Sequence, residues 1–146
     1  TRRAALAGLA VVLLPLPAAA TPEEVAASIA ETFGEGPIAE GPIALEVPPL
    51  AESGNSVPLT VRIDSPMTDA DRIRRVAVFA EANPRPKICE AVFGPAAAEA
   101  LLTTNIRLAS TQAVVCVAEL SDGSLIRAAR EVRVVVGACT TLPSRF

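Results

Sequence analysis

Histidine is absent from this sequence. With it go the commonest general base at neutral pH, the Ser-His and Cys-His nucleophile pairs, and every metal site built on imidazole. Tryptophan and tyrosine are also absent, with 4 phenylalanines and 1 methionine present. Stacking on bases or sugar rings is therefore not expected, and the core must be assembled from Ala, Val, Leu and Ile. Basic residues are scattered through a chain of net charge −3, which gives no footprint for nucleic acid. The 3 cysteines, Cys89, Cys116 and Cys139, are too few and too widely spaced for a structural zinc site, and no CxxC pair occurs. GxSxG, P-loop, GxGxxG and calcium-loop patterns are missing as well. These gaps point away from an independent enzyme and away from a resident metal or cofactor.

What is present is hydrophobic. The 51% hydrophobic share of 146 residues is enough for one folded unit with a core. Residues 1–20, TRRAALAGLAVVLLPLPAAA, place Arg2 and Arg3 before an apolar run that ends in Ala18-Ala19-Ala20. That arrangement reads as an export signal with a small-residue cleavage site, and Thr-Arg-Arg fits the twin-arginine type. The run is long enough for a membrane anchor, yet Pro15 and Pro17 interrupt it. The expectation is a periplasmic protein with no stable membrane insertion after cleavage. Cleavage would remove Arg2 and Arg3 and no acid, moving the net charge from −3 to −5.

After this segment the signals change twice. TPEEVAASIAETFGEG carries Thr21 as N-cap, Pro22 in the first turn, Glu23 and Glu24 at the positive end of the dipole, and Gly34 as a stop. Its apolar stripe of Val25, Ile29 and Phe33 needs a surface to lie on, in this domain or on a partner. The stretch GEGPIAEGPIALEVPPL reads as a linker entering an edge strand, because proline cannot donate to a ladder. From residue 42 the period becomes two. Val57, Leu59, Val61 and Ile63 alternate with polar or small residues, and RIRRVAVFA, KICEAVF, NIRLA, TQAVVCVAEL and LIRAAREVRVVV follow between turn-rich stretches. Short strands at roughly ten-residue spacing without crossover helices predict an antiparallel β-sandwich. SDGS predicts a hairpin with Asp122 and Gly123 in its turn.

The cysteines divide by context. Cys89 and Cys116 fall inside strand patterns, which predicts buried, inert thiols or a disulfide between neighbouring strands. Cys139 follows the last strand, after Gly137 and Ala138, where a thiol is expected to be exposed on a mobile tail. It could close a disulfide to the domain or to another chain, or serve as a covalent attachment point that carries a group while another protein supplies the chemistry. Asp69 and Asp71 in MTDADR resemble an acid pair but sit beside Thr68 and Arg72 in a turn, where acids are normally solvated or capping.

The stretches SVPLTV, DSPMT, NPRP, RLA, VAELSDGS and the cysteine after the final strand together resemble SoxY, the sulfur-carrier subunit of the bacterial Sox thiosulfate-oxidising system. The likeness runs from about residue 22 to Cys139. It implies an all-β, immunoglobulin-like antiparallel sandwich with one short N-terminal helix and a C-terminal cysteine-bearing arm, pairing with a SoxZ-like subunit as a heterodimer. It also implies that Cys139 carries sulfur adducts presented to c-type cytochromes and a thiosulfohydrolase. The corresponding family arm is Gly-Gly-Cys-Gly-Gly, whereas this chain has Gly137-Ala138-Cys139-Thr140-Thr141, a bulkier version. The expected organisation is a signal at 1–20, helix and linker at 21–41, sandwich at 42–136, and arm and tail at 137–146. The competing expectation is a non-carrying interaction subunit with Cys139 in a disulfide.

Overall fold

The computed structural model describes residues 21–138 of the chain. It opens with helix α1 (Pro22–Phe33), capped as its sequence predicts. The Thr21 side chain accepts from the Glu24 backbone N–H at 3.3 Å, and the Glu24 carboxylate accepts from the Thr21 N–H at 2.8 Å. These bonds satisfy donors that a helix start otherwise leaves open. Gly34, at φ 85°, ends the helix.

Nine strands follow: β1 (Ile38–Glu40), β2 (Ile43–Glu46), β3 (Leu50–Ser53), β4 (Val57–Ile63), β5 (Ile73–Ala80), β6 (Lys87–Val92), β7 (Ala100–Ile106), β8 (Gln112–Leu120) and β9 (Leu125–Val136). They form two sheets. The larger runs β1-β9-β8-β5-β6 with β3 also on β9, and the smaller runs β2-β4-β7. The core lies between them. The inward residues of β4, Val57, Leu59, Val61 and Ile63, pack with Val76 and Val78 of β5 and Val114 and Cys116 of β8.

The alternation in β4 is that of a strand with one buried face. By contrast, β5 and β8 are apolar at nearly every position because both of their faces are covered. Ala77, Phe79, Val115 and Val117 point away from the second sheet and receive Val25 and Ile29 of α1, so the helix stripe is satisfied within the domain. Burying side chains of this size contributes about 1.5–3 kcal/mol each. Arg75 braces the helix end. Its guanidinium lies 4.7 Å from the Phe33 ring centroid and 2.6 Å from the Glu119 carboxylate.

Three expectations need correction. The linker expected before residue 42 holds a strand, β1, and the rest of the proline-rich stretch forms β2 and ends at the first residue of β3. The sandwich is not wholly antiparallel, because β1 and β3 both run parallel to β9, along different halves of its 12 residues. The strand expected around NIRLA ends at Ile106 and begins at Ala100. Leu108 then leaves the ladder because its side chain is fully buried and its N–H is bonded to Gly54 O at 2.8 Å. The hairpin at Asp122-Gly123 forms as expected, with Gly123 at φ 85° and the Asp122 carboxylate accepting from Ser124 N–H at 2.9 Å.

Candidate functional site

Strand β9 delivers the chain to the position where the sequence places a carrier arm. Its exit is a junction of three backbone segments. Gly54 N–H donates to Val136 O at 2.8 Å, Leu108 N–H to Gly54 O at 2.8 Å, and Ala138 N–H to Leu108 O at 3.0 Å. Just before this, Thr111 Oγ accepts from Val134 N–H at 3.0 Å. The segments approach so closely that a Cβ on Gly54 would overlap Leu108 O, and one on Gly137 would overlap Ala109 O. Gly137 and Ala138 are half-buried and fixed, not the start of a free tail. The glycine at 137 is therefore required by close packing at least as much as by chain flexibility. Cys139 itself lies outside the described residues, as do residues 1–20, where an export signal is expected, and the chain after Cys139.

Cys89 and Cys116 are both free. They do not occupy neighbouring strands, which corrects the disulfide expectation. Val78 of β5 pairs with Cys89 on one side and Cys116 on the other. Strands lie about 4.8 Å apart, so residues two strands apart are separated by roughly 9.6 Å. A disulfide requires Cα atoms within about 7 Å. Burial pushes the Cys89 thiol up, and burial reinforced by the nearby Cys89 pushes Cys116 up to about 12. Cys116 is 0% exposed. Both are core thiols with little thiolate at neutral pH.

A cleft of about 680 Å³ opens beside the arm root, between the β5–β6 turn and the end of β7. Ile88, Ile106 and Pro84 contribute apolar side chains to its lining, and Arg85, Lys87 and Arg107 contribute three cations. Asn83 holds the two sides together. Its side-chain amide donates to Arg107 O at 2.8 Å, and its carbonyl accepts from Ala109 N–H at 2.9 Å and from the buried Gln112 at 3.0 Å. Thus Arg107, which lines the cleft, directly precedes Leu108 and Ala109, the residues whose carbonyls meet Ala138 and Gly137. The sequence does not reveal this grouping, because its cations are separated by 20 residues and meet only through tertiary pairing. Its one local sign is the proximity of Arg85 and Lys87.

The acid pair forms no site. Thr68 Oγ accepts from Asp71 N–H at 3.1 Å, and Thr68 N–H donates to Asp71 O at 3.0 Å, closing a local turn. Among the described residues no cluster of three metal-ligating side chains occurs, and no helix is long and apolar enough to cross a membrane.

Comparison with known proteins agrees with this geometry. Residues 29–139 match the family described as sulfur oxidation protein SoxY, and the matched span ends on Cys139. Among solved structures, the sulfur carrier protein SoxY from Chlorobium limicola f thiosulfatophilum aligns with a TM-score of 0.68 and 30% identity, covering 80% of this chain and 100% of that one. A superoxide reductase (neelaredoxin) from Ignicoccus hospitalis aligns at TM-score 0.58 with 18% identity, covering 80% of this chain and 94% of its own. A superoxide reductase from Nanoarchaeum equitans aligns at TM-score 0.55 and 12% identity, covering 66% and 100%. The reductases share the fold alone. No curated protein sequence matches the chain.

Proposed function

The chain belongs to the SoxY family of sulfur oxidation proteins, and from that premise we propose that it is a sulfur carrier whose cargo is attached to Cys139. The observation that carries the assignment is the family match itself, which covers the sandwich and runs to this cysteine. The immobilised root at Gly137 and Ala138 supports it, because a carrier needs a nucleophile displayed from a fixed origin. The other two thiols are packed into the core and are poor candidates for reaction or for a disulfide to Cys139.

The chemistry attributed to the arm needs partners. Joining the Cys139 thiolate to thiosulfate forms a sulfur–sulfur bond and gives Cys–S–SO₃⁻ with one further sulfur between, releasing two electrons that a c-type cytochrome would accept. Water then attacks the terminal sulfonate sulfur, releasing sulfate and two protons and leaving a persulfide anion on the cysteine. A thiosulfohydrolase supplies that step, and a SoxZ-like subunit completes the carrier as a heterodimer. The carrier itself supplies the thiol, its placement and its protection, and the export segment would put it in the periplasm.

Intact-mass spectrometry followed by peptide mapping tests the reading, on protein isolated without reductant from cells given thiosulfate. The expected result is a reducible, sulfur-containing increment on Cys139. A stable disulfide at Cys139, or an unmodified thiol under every sulfur source tried, overturns it in favour of a non-carrying interaction subunit.

A further inference from the structure

We propose that the cleft between the β5–β6 turn and the end of β7 is a docking subsite for the anionic end of the adduct on Cys139. The inference rests on the carrier reading above and adds where the cargo sits between partner encounters.

Three observations converge on it. First, in a chain of net charge −3, Arg85, Lys87 and Arg107 gather at one cleft. Lys87 is 3.1 Å from the Glu90 carboxylate, which also bonds Arg75. Arg85 and Arg107 have no carboxylate partner among the described residues. Two guanidiniums without counter-ions provide donors matched to an oxoanion. Second, the lining also carries apolar side chains, Ile88, Ile106 and Pro84. Oxidised sulfur held on a thiol has the same two-part character: a sulfane sulfur that is polarisable and poorly hydrated, and a terminal sulfonate that is charged at any physiological pH. Asn105, at the end of β7, adds a side-chain amide to the lining.

The third observation is position. Leu108, whose carbonyl holds the Ala138 N–H at 3.0 Å, directly follows Arg107 in the chain. The last described residue before Cys139 is thus bonded to the immediate neighbour of a cleft-lining cation. Docking would shield the adduct's sulfur–sulfur bond from stray thiols and leave it by simple displacement when a partner enzyme offers stronger contacts.

The adduct can be made without partner proteins. Tetrathionate and the Cys139 thiolate exchange to give Cys–S–S–SO₃⁻ and thiosulfate, a displacement that needs no added oxidant. Peptide mapping first establishes that Cys139 is loaded; failure to load any cysteine at that position sinks the carrier reading together with this inference, before the cleft is tested. On loaded protein, backbone and arginine side-chain NMR is expected to show shifts at Arg85, Lys87, Asn105 and Arg107. The shifts at Lys87 and Asn105 should disappear in equally loaded R85Q/R107Q protein, while the signals of core residues such as Val61 and Val117 stay in place. Shifts confined to the residues flanking Cys139, with the cleft silent, overturn the proposal. So does a result in which millimolar thiosulfate moves the cleft signals of Cys139→Ser protein but the covalent adduct on the unmodified chain does not, since the cleft would then be a site for free anions.

Discussion

The backbone N–H of Ala138 donates to the carbonyl oxygen of Leu108 at 3.0 Å, so the residue before Cys139 is tied to the immediate neighbour of Arg107, a lining residue of the cationic cleft. On the proposed reading, the attachment residue therefore follows a backbone position that is hydrogen-bonded to the domain.

Replacing Gly137 with Ala tests that origin. The new Cβ would overlap Ala109 O, a backbone atom that cannot rotate aside. Overpacking of this kind costs about 1–3 kcal/mol. Urea unfolding should show that loss, and amide exchange should quicken at Leu108 and Ala138. An unchanged midpoint with unchanged exchange would mean the junction is not close-packed.

If Cys139 carries the cargo, Cys139→Ser should remove every adduct from the mass spectrum and leave stability within about 0.5 kcal/mol of the parent chain, the usual range for substitutions away from a core. The contrast is Cys116→Ser. That substitution buries a hydroxyl in the intersheet core, where polar burial costs about 1–3 kcal/mol. Equal melting temperatures for the two variants would contradict the core placement of Cys116.

Alkaline stability offers a separate test of Cys116. Its folded-state pKa is raised from the ordinary 9.0 to about 12, by burial first and by the neighbouring Cys89 second. Below about pH 9 the thiol is protonated in both states and the stability is undiminished. Between 9 and 12 the unfolded chain gives up that proton while the folded chain keeps it, so stability falls as pH rises. The slope approaches 1.4 kcal/mol per pH unit. Denaturant titrations from pH 8 to 10.5 should show a shallower decline in Cys116→Ala protein, with parallel curves counting against the assignment.

The helix is predicted to be an integral part of the domain. Ile29→Ala empties a site packed against the β5 and β8 side chains Phe79 and Val115 and should cost about 2–4 kcal/mol. Loss of the same size in the isolated chain, without any partner subunit, would establish that this stripe is satisfied internally. A change below about 0.5 kcal/mol would return it to the list of partner surfaces.

The sequence by itself determined the elements whose signals are local. Thr21, Pro22, Glu24 and Gly34 specify both ends of α1 because capping depends on residues within one turn of each other. The alternation from Val57 to Ile63 specifies β4, and Asp122-Gly123 specifies the hairpin, for the same reason. The family was also legible, because several short stretches and one cysteine occur together in order. Tertiary structure decided everything that depends on strands meeting across the fold. It separated Cys89 from Cys116 by placing β5 between them, and it drew the proline-rich segment into the sheets by pairing β1 in parallel with β9 and β2 antiparallel with β4. It also brought Gly54, Leu108 and Ala138 into one junction and gathered Arg85 and Arg107 beside it. None of these contacts is encoded by spacing along the chain, because each is fixed by pairing register and close packing between segments tens of residues apart.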